Sequence, residues 1–276
     1  DAYKNFRNFQ GFTEELYGCI PVVTANASHN SWDWGEDVQW VPNDTRSFSY
    51  CVDQGDYWKW VGVGDNYGWL RTGGKPASGD PKDGKGALWG LSWYGIRKAN
   101  IGLANLDKLT QATTEERNLI EGQLYFFRGW FHFMLMQFWG GLPYVDEVLP
   151  SDEVLKRARL TYRETADKAS EDFRKAAALL PLDWDETTVG KQTVGKNNIR
   201  INKIMALAYL GKNELWAGSP LMSGDVNAQT TAYNAESCQR AADAFAEVLD
   251  LCDKTKRYEL ADFANYTDIF YTYQQN

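Results

Sequence analysis

Residues Thr113–Pro143 read TTEERNLIEGQLYFFRGWFHFMLMQFWGGLP, and the spacing within this stretch decides the fold. Thr113 followed by Glu116 fits a capping box, in which the threonine hydroxyl accepts from the Glu116 N–H and the glutamate reaches back to the cap. Glu115 and Glu116 lie at the positive end of the helix dipole. Apolar residues recur three and four apart at Ile120, Leu124, Phe127, Phe131, Met134 and Phe138, which is one face of an α-helix. A second row runs through Leu119, Phe126, Trp130 and Phe133, so the C-terminal half is apolar nearly all round. A helix of that kind belongs in the middle of a packed array. Gly140 and Gly141 supply a left-handed C-cap, and Pro143 forbids continuation. The helix spans roughly 39 Å at about 1.5 Å per residue. Arg128 and His132 interrupt the apolar run. The uncharged remainder meets Gly-Gly-Leu-Pro before the roughly 20 residues that a bilayer requires, so the stretch is core and not a membrane span.

The chain has 276 residues and a net charge of −8, enough length to bury a substantial core. An acidic balance argues against nucleic acid as a partner, because phosphates need stripes of Lys and Arg. Twelve Trp, 15 Tyr and 13 Phe make the chain rich in aromatics. Four cysteines are too few for a disulfide framework at this length. Cys238 and Cys252 share the apolar stripe of one helix, roughly 21 Å apart along the axis, too far to bridge, and are expected buried. Cys19 and Cys51 are free to pair or not. No signal peptide opens the chain, and Asp1-Ala-Tyr-Lys reads as the interior of a longer protein.

Helices account for most of the rest. Residues 1–20 form a short helix with Phe6, Phe9, Phe12, Leu16 and Tyr17 inward, stopped by Pro21. Leu88–Leu109 carries Leu88, Leu91, Ile96, Ala99, Leu103 and Leu106. Thr161–Leu180 opens with a second capping box, Thr161 with Glu164, and presents Tyr162, Ala166, Ala169, Phe173, Ala176 and Leu180. Asn198–Ala217 follows a polar loop. The final helix, predicted over Ala235–Leu251, carries Cys238, Ala241, Ala242, Phe245, Leu249 and Cys252. The expected fold is all-α: antiparallel helix pairs of tetratricopeptide-like character in one domain, with long irregular insertions. Residues 21–86 break the pattern. Gly, Asp, Asn, Ser and Trp dominate there and no period persists, far beyond the usual loop of about 4–6 residues.

Recognised chemistry is sparse. Only His29 and His132 are present, and His132, among helix aromatics, reads as a packed core histidine. No metal-binding, Walker or nucleophile-elbow sequence appears, and no cofactor is expected. Gly62-Val-Gly-Asp-Asn-Tyr-Gly68 is one residue too long for a dinucleotide loop, and no βαβ unit follows. Asp33, Glu36, Asp37, Asp53, Asp56 and Asp65 would supply carboxylates for a helical-toroid glycosidase; the alternative is that they bond turn backbones. The sharper feature is the aromatic set Trp32, Trp34, Trp40, Tyr50, Tyr57, Trp58, Trp60, Tyr67 and Trp69, in irregular glycine-rich sequence beside polar residues. Aromatic faces cover the C–H faces of sugars while neighbouring polar groups bond the hydroxyls. The competing reading is a small core beneath the loop, and a third is a repeat scaffold that binds only protein or peptide.

Several blocks, in order, carry a resemblance. Asn8-Phe-Gln-Gly-Phe-Thr-Glu-Glu-Leu-Tyr17, Trp89-Gly-Leu-Ser-Trp-Tyr-Gly-Ile-Arg-Lys-Ala-Asn100 and Glu121-Gly-Gln-Leu-Tyr-Phe-Phe-Arg128-Gly-Trp-Phe-His-Phe come first. Trp139-Gly-Gly-Leu-Pro143, Arg159-Leu-Thr-Tyr-Arg-Glu164 and Trp216-Ala-Gly-Ser-Pro-Leu221 follow. Together they make residues 1–221 resemble the SusD/RagB family of outer-membrane glycan-binding lipoproteins. That resemblance implies a non-catalytic protein at the surface of a Gram-negative cell. It also implies delivery of oligosaccharide to a SusC-like TonB-dependent transporter, and membrane attachment through a lipid anchor outside this chain. The family is usually longer, so the chain is expected to be its N-terminal part. The family's ligand platform draws partly on loops ahead of the Trp89 helix and partly on the portion of the family beyond this chain. The stacking candidates are therefore Trp58, Trp60, Tyr67 and Trp69, with Trp32 and Trp34 beside them and Asp65 and Arg71 as hydroxyl partners.

Overall fold

Thr113 caps its helix as the spacing predicts: its hydroxyl accepts from Glu116 N at 3.2 Å, and its own N–H donates to Glu116 Oε2 at 2.8 Å. The computed structural model describes residues 2–20, 88–150, 156–223 and 232–271. Among these, eight α-helices occur and no strand; one isolated bridge joins Asn5 to Gln111. The helices are α1 (Phe6–Tyr17), α2 (Leu88–Leu103), α3 (Thr114–Trp139), α4 (Tyr162–Leu179), α5 (Lys203–Gly218), α6 (Pro220–Ser223), α7 (Ala235–Thr255) and α8 (Tyr266–Tyr271). The fold is all-α, as expected.

The helices α2, α3, α4, α5 and α7 pack each against the next, and α1 lies against α2 and α3. Successive neighbours run antiparallel. Gly95 and Gly102 of α2 face Phe131 and Leu124 of α3, and Gly211 and Gly218 of α5 face Phe245 and Cys238 of α7. Backbones approach closely at these points. A Cβ at Gly102 would stand 2.6 Å from Leu124 Cδ2, and one at Gly211 2.7 Å from Phe245 Cε1, both inside van der Waals contact. Every residue from Phe126 to Met136 is buried, which is the all-round burial that the apolar pattern of α3 demands. The second capping box, at Thr161, also forms. All six residues expected inward on α4 are buried. On α1, Phe9 and Leu16 are buried, while Phe6, Phe12 and Tyr17 pack half-buried on the core.

Five expectations need correction. First, α2 ends at Leu103, six residues early, and Leu106–Lys108 forms a short 3-10 turn. The Asn105 side chain takes the Ile101 carbonyl at 2.7 Å and so competes with the helix ladder. Second, α5 starts at Lys203 and not Asn198. Trp184 Nε1 holds the Ile201 carbonyl at 2.8 Å, Lys203 N donates to Pro181 O at 2.9 Å, and Asn202 becomes the N-cap. Third, α7 continues one turn beyond Leu251 to Thr255. Its inward face is Ser237, Ala241 and Ala244, with Phe245, Val248 and Leu251 half-buried; Ala242 and Leu249 are exposed. Fourth, Cys238 and Cys252 are half-buried and not sealed in the core. Fifth, Gly140 adopts φ 74° with ψ −150°, a positive φ outside the left-handed helical region, and Gly141 is not in that region either. Cys19 is buried, and Cys51 lies outside the described residues.

A charged clamp ties α4, α5 and α7. Arg240 Nη2 donates to Glu214 Oε2 at 3.0 Å and Asp167 Oδ1 at 3.2 Å, and Ser170 Oγ donates to Glu214 Oε1 at 2.7 Å. Glu214 is buried, so it depends on these partners for solvation.

Because each capping box satisfies backbone donors of its helix's first turn, Thr113→Ala and Thr161→Ala should each cost about 1 kcal/mol. The two losses should add in the double variant, as measured by urea denaturation.

Candidate functional site

The segment that carries all the sequence-predicted ligand residues leaves the described bundle at Ile20 and re-enters it at Leu88. Trp32, Trp34, Trp58, Trp60, Asp65, Tyr67, Trp69 and Arg71 lie outside the described residues, as do Trp40, Tyr50, Tyr57 and the loop carboxylates. The described residues are those that precede and follow this segment.

The part that follows begins with aromatics. Trp89 and Trp93, on the first two turns of α2, meet edge to face at 5.0–5.5 Å in the series Trp139–Trp89–Trp93, and Phe138 flanks Trp139. All four are half-buried. The contacts continue inward from Trp93 to His132 at 5.8 Å, and His132 stacks on Tyr144 at 3.8 Å. The re-entry point of the segment is thus fixed to the end of α3 by a chain of rings.

Beneath the rings lies a buried polar latch that sequence reasoning missed. Arg128 of α3 grips Asp172 of α4 through two parallel bonds, Nε to Oδ2 at 2.6 Å and Nη2 to Oδ1 at 2.7 Å. Tyr144 OH donates to Asp172 Oδ2 at 2.6 Å. The third arm of the guanidinium, Nη1, donates to Asn100 Oδ1 of α2 at 3.0 Å and to the Asp146 carbonyl at 3.1 Å. Asn100 Nδ2 in turn donates to the carbonyls of Val145 and Glu147 at 2.9 and 3.0 Å. Burial works against the charge on Arg128. The hydrogen bonds and charge of Asp172 outweigh it, so the guanidinium is held more firmly charged than a free arginine.

The latch also fastens the irregular strap that follows α3. Residues 140–150 have no helix or sheet to take their polar backbone groups, and buried groups of that kind need partners. Side chains supply them. Thr165 Oγ1 donates to Leu142 O and accepts from Leu142 N; Arg159 Nε donates to Gly141 O; Arg97 Nη1 donates to Leu149 O. Val145 N donates to His132 Nε2 at 3.0 Å.

His132 is therefore a core residue, as its setting predicts. With Nε2 accepting, Nδ1 carries the proton and donates to the Arg128 carbonyl at 2.8 Å, which fixes one neutral tautomer. Burial, together with the nearby Arg128 charge, pushes its pKa down to about 3 against the carbonyl bond, which acts upward. Both nitrogens are engaged, so the ring is not placed to shuttle protons. Asp172 is equally saturated. Among the described residues no group of His, Cys, Asp and Glu is arranged to hold a metal ion, and no helix is long and apolar enough to cross a membrane.

The latch has two measurable consequences. Arg128→Met leaves Asp172 charged and unpaired in the core, so it should cost about 3–5 kcal/mol; the double variant with Asp172→Leu should recover part of that loss in urea denaturation. His132 has a folded-state pKa below its unfolded value, so below about pH 6.5 the unfolded chain takes up a proton that the folded one refuses. Stability should fall as pH drops from about 6.5 towards about 3. A His132→Gln variant should be less stable at neutral pH and show a flatter dependence across that window.

Comparison with known proteins fits this geometry. No curated protein matches the chain. A family model described as "SusD-like_3: Starch-binding associating with outer membrane" matches residues 52–212. Among solved structures, the chain is similar to a SusD superfamily protein from Bacteroides vulgatus ATCC 8482, with a TM-score of 0.61 and 16% identity over 97% of this chain and 52% of that one. It is similar to a SusD homolog from Bacteroides thetaiotaomicron VPI-5482, with a TM-score of 0.60 and 17% identity over 98% of this chain and 51% of that one. It is similar also to a SusD-like carbohydrate binding protein from Bacteroides vulgatus ATCC 8482, with a TM-score of 0.56 and 16% identity over 96% and 48% of the two chains. At these identities the structures speak to the fold, and the chain spans about half the length of each. The family match covers more than half of the chain and takes in both the latch and the Trp58–Arg71 block: the chain belongs to the SusD-like family.

Proposed function

We propose that this protein is a non-catalytic glycan-binding subunit at the outer-membrane surface, and that it delivers oligosaccharides to a SusC-like TonB-dependent transporter. The observation that carries the reading is the reach of the family match: it begins at residue 52 and so includes Trp58, Trp60, Asp65, Tyr67, Trp69 and Arg71. The family is described as starch-binding and associated with the outer membrane, and one similar solved structure bears the name of a carbohydrate-binding protein.

The physical argument runs the same way. The buried histidine and carboxylates of the bundle are committed to the latch and the clamp, which gives them structural work. The aromatic, glycine-rich block is followed directly by the ring series and latch of the described bundle, and a preorganised binding surface lowers the cost of binding. Trp58, Trp60, Tyr67 and Trp69 stack on sugar faces, Trp32 and Trp34 extend the platform, and Asp65 and Arg71 bond hydroxyls. Attachment to the membrane is through a lipid anchor outside these 276 residues.

Titration calorimetry against a panel of polysaccharides tests the reading. Trp58→Ala combined with Trp69→Ala should weaken binding of the selected glycan by roughly ten-fold or more, with thermal stability near that of the parent. A collapse in stability would assign these rings to a core beneath the loop, and hydrolysis of the glycan would replace binding with catalysis.

A further inference from the structure

Tyr94 is an exposed aromatic that is nevertheless held in place. It lies on the second turn of α2 and is 47% exposed. Its hydroxyl donates to Glu15 Oε1, on the last turn of α1. The other carboxylate oxygen of Glu15, Oε2, pairs with Lys98 Nζ, one turn further along α2, and that ammonium lies over the Phe12 ring at 3.8 Å. The Tyr94 ring is thus tethered at its tip while much of its body stays open to solvent. The bond to Glu15, and then burial, raise the phenol to a pKa of about 12, so at neutral pH the hydroxyl stays a donor to Glu15 and its oxygen keeps acceptor capacity. The Glu15 side chain is itself 41% exposed, so a hydroxyl arriving from solvent can reach its carboxylate. The place matters as much as the geometry. Helix α1 ends just before residues 21–87 leave the bundle at Ile20, and α2 begins where they return. The tether joins the two feet of the segment that carries Trp58–Arg71.

We propose that Tyr94, tethered by Glu15, is a further sugar-stacking subsite at the feet of the aromatic segment, taking the C–H face of one ring of the oligosaccharide while the Tyr94 oxygen and the Glu15 carboxylate bond its hydroxyls. The proposal rests on the glycan-binding reading and extends it to residues outside 21–87. A tyrosine offers a large amphipathic face at small entropy cost, and the tether removes part of the cost that remains. The alternative use of Tyr94 is a pin between α1 and α2. That work is already done by other contacts. Glu15 and Lys98 pair across the two helices, and Lys98 packs on Phe12. Helix α1 is also fastened to α3, where Gln10 and Gln123 exchange bonds at 3.2 and 2.9 Å and Tyr17 OH donates to Gln123 Oε1 at 2.9 Å. A ring as exposed as Tyr94 adds little apolar burial to these.

Titration calorimetry on the protein as cells make it, with the polysaccharide selected from the panel, tests this. Tyr94→Ala, Tyr94→Phe and the Trp58→Ala, Trp69→Ala double variant are measured side by side, each with its thermal midpoint. Tyr94→Ala should weaken binding roughly three- to ten-fold. Tyr94→Phe, which keeps the ring face, should stay much closer to the parent, and both should unfold near the parent's midpoint. Unchanged affinity in Tyr94→Ala, alongside lost binding in the tryptophan double variant, would overturn the subsite and leave the glycan reading standing. Equal losses in Tyr94→Phe and Tyr94→Ala, with the midpoint lowered in both, would overturn it in favour of a pin between helices. A parent that binds no polysaccharide would overturn the glycan reading and the subsite with it.

Discussion

The bidentate pair between Arg128 and Asp172 is the contact on which the junction of α2, α3 and α4 and the strap after α3 depend. It joins the two longest-packed helices of the stack, α3 and α4, and its free arm reaches a third, α2, through Asn100. A buried ion pair adds little net stability, because desolvation offsets most of the attraction. Its value lies in direction. A guanidinium presents its donors in a fixed planar fork, so three helices and the strap after α3 must meet it at set angles. Tyr144 and His132 then convert that polar geometry into ring packing that reaches Trp93, Trp89 and Trp139 at the bundle's end. The point where residues 21–87 rejoin the bundle inherits its position from this series of contacts.

Around the latch, the energetic weight is carried by ordinary burial. Small residues at helix crossings allow close backbone approach, as at Gly102 against Leu124 and Gly211 against Phe245. The all-round apolar C-terminal half of α3 fills the centre. The Arg240 clamp repeats the logic of the latch one layer further out, where solvent reaches it and its contribution is smaller. Within the described residues, then, buried polar geometry sets direction while apolar burial supplies the energy.

Much of the frame is legible in sequence because it is local. Two threonines with glutamates three residues on mark the starts of α3 and α4, and both capping boxes form. The period of α4 names its inward face without error. Several misreadings come from partners that the local pattern does not report. Asn198 to Ile201 have helical neighbours but are held out of α5 by Trp184 and Pro181. Ala242 and Leu249 obey the apolar period of α7, yet a period reports what a helix can bury and not how many neighbours cover it. His132 reads correctly as core from its aromatic neighbours, but Arg128 reads only as an interruption of an apolar run, because its carboxylate partner lies 44 residues away. The aromatic block between Trp32 and Arg71 is legible as composition alone; without a period, its spacing does not say which rings face a ligand.

Amide hydrogen exchange on a Tyr144→Phe variant tests the central claim most directly. The substitution keeps the ring that stacks on His132 and removes only the bond to Asp172. If the latch fixes the strap, the Leu142 and Val145 amides, held by Thr165 and His132, should exchange roughly three- to ten-fold faster. Amides of α5 and α7 should keep their protection. Unchanged exchange at Leu142 and Val145, or an equal loss of protection through every helix, would contradict it.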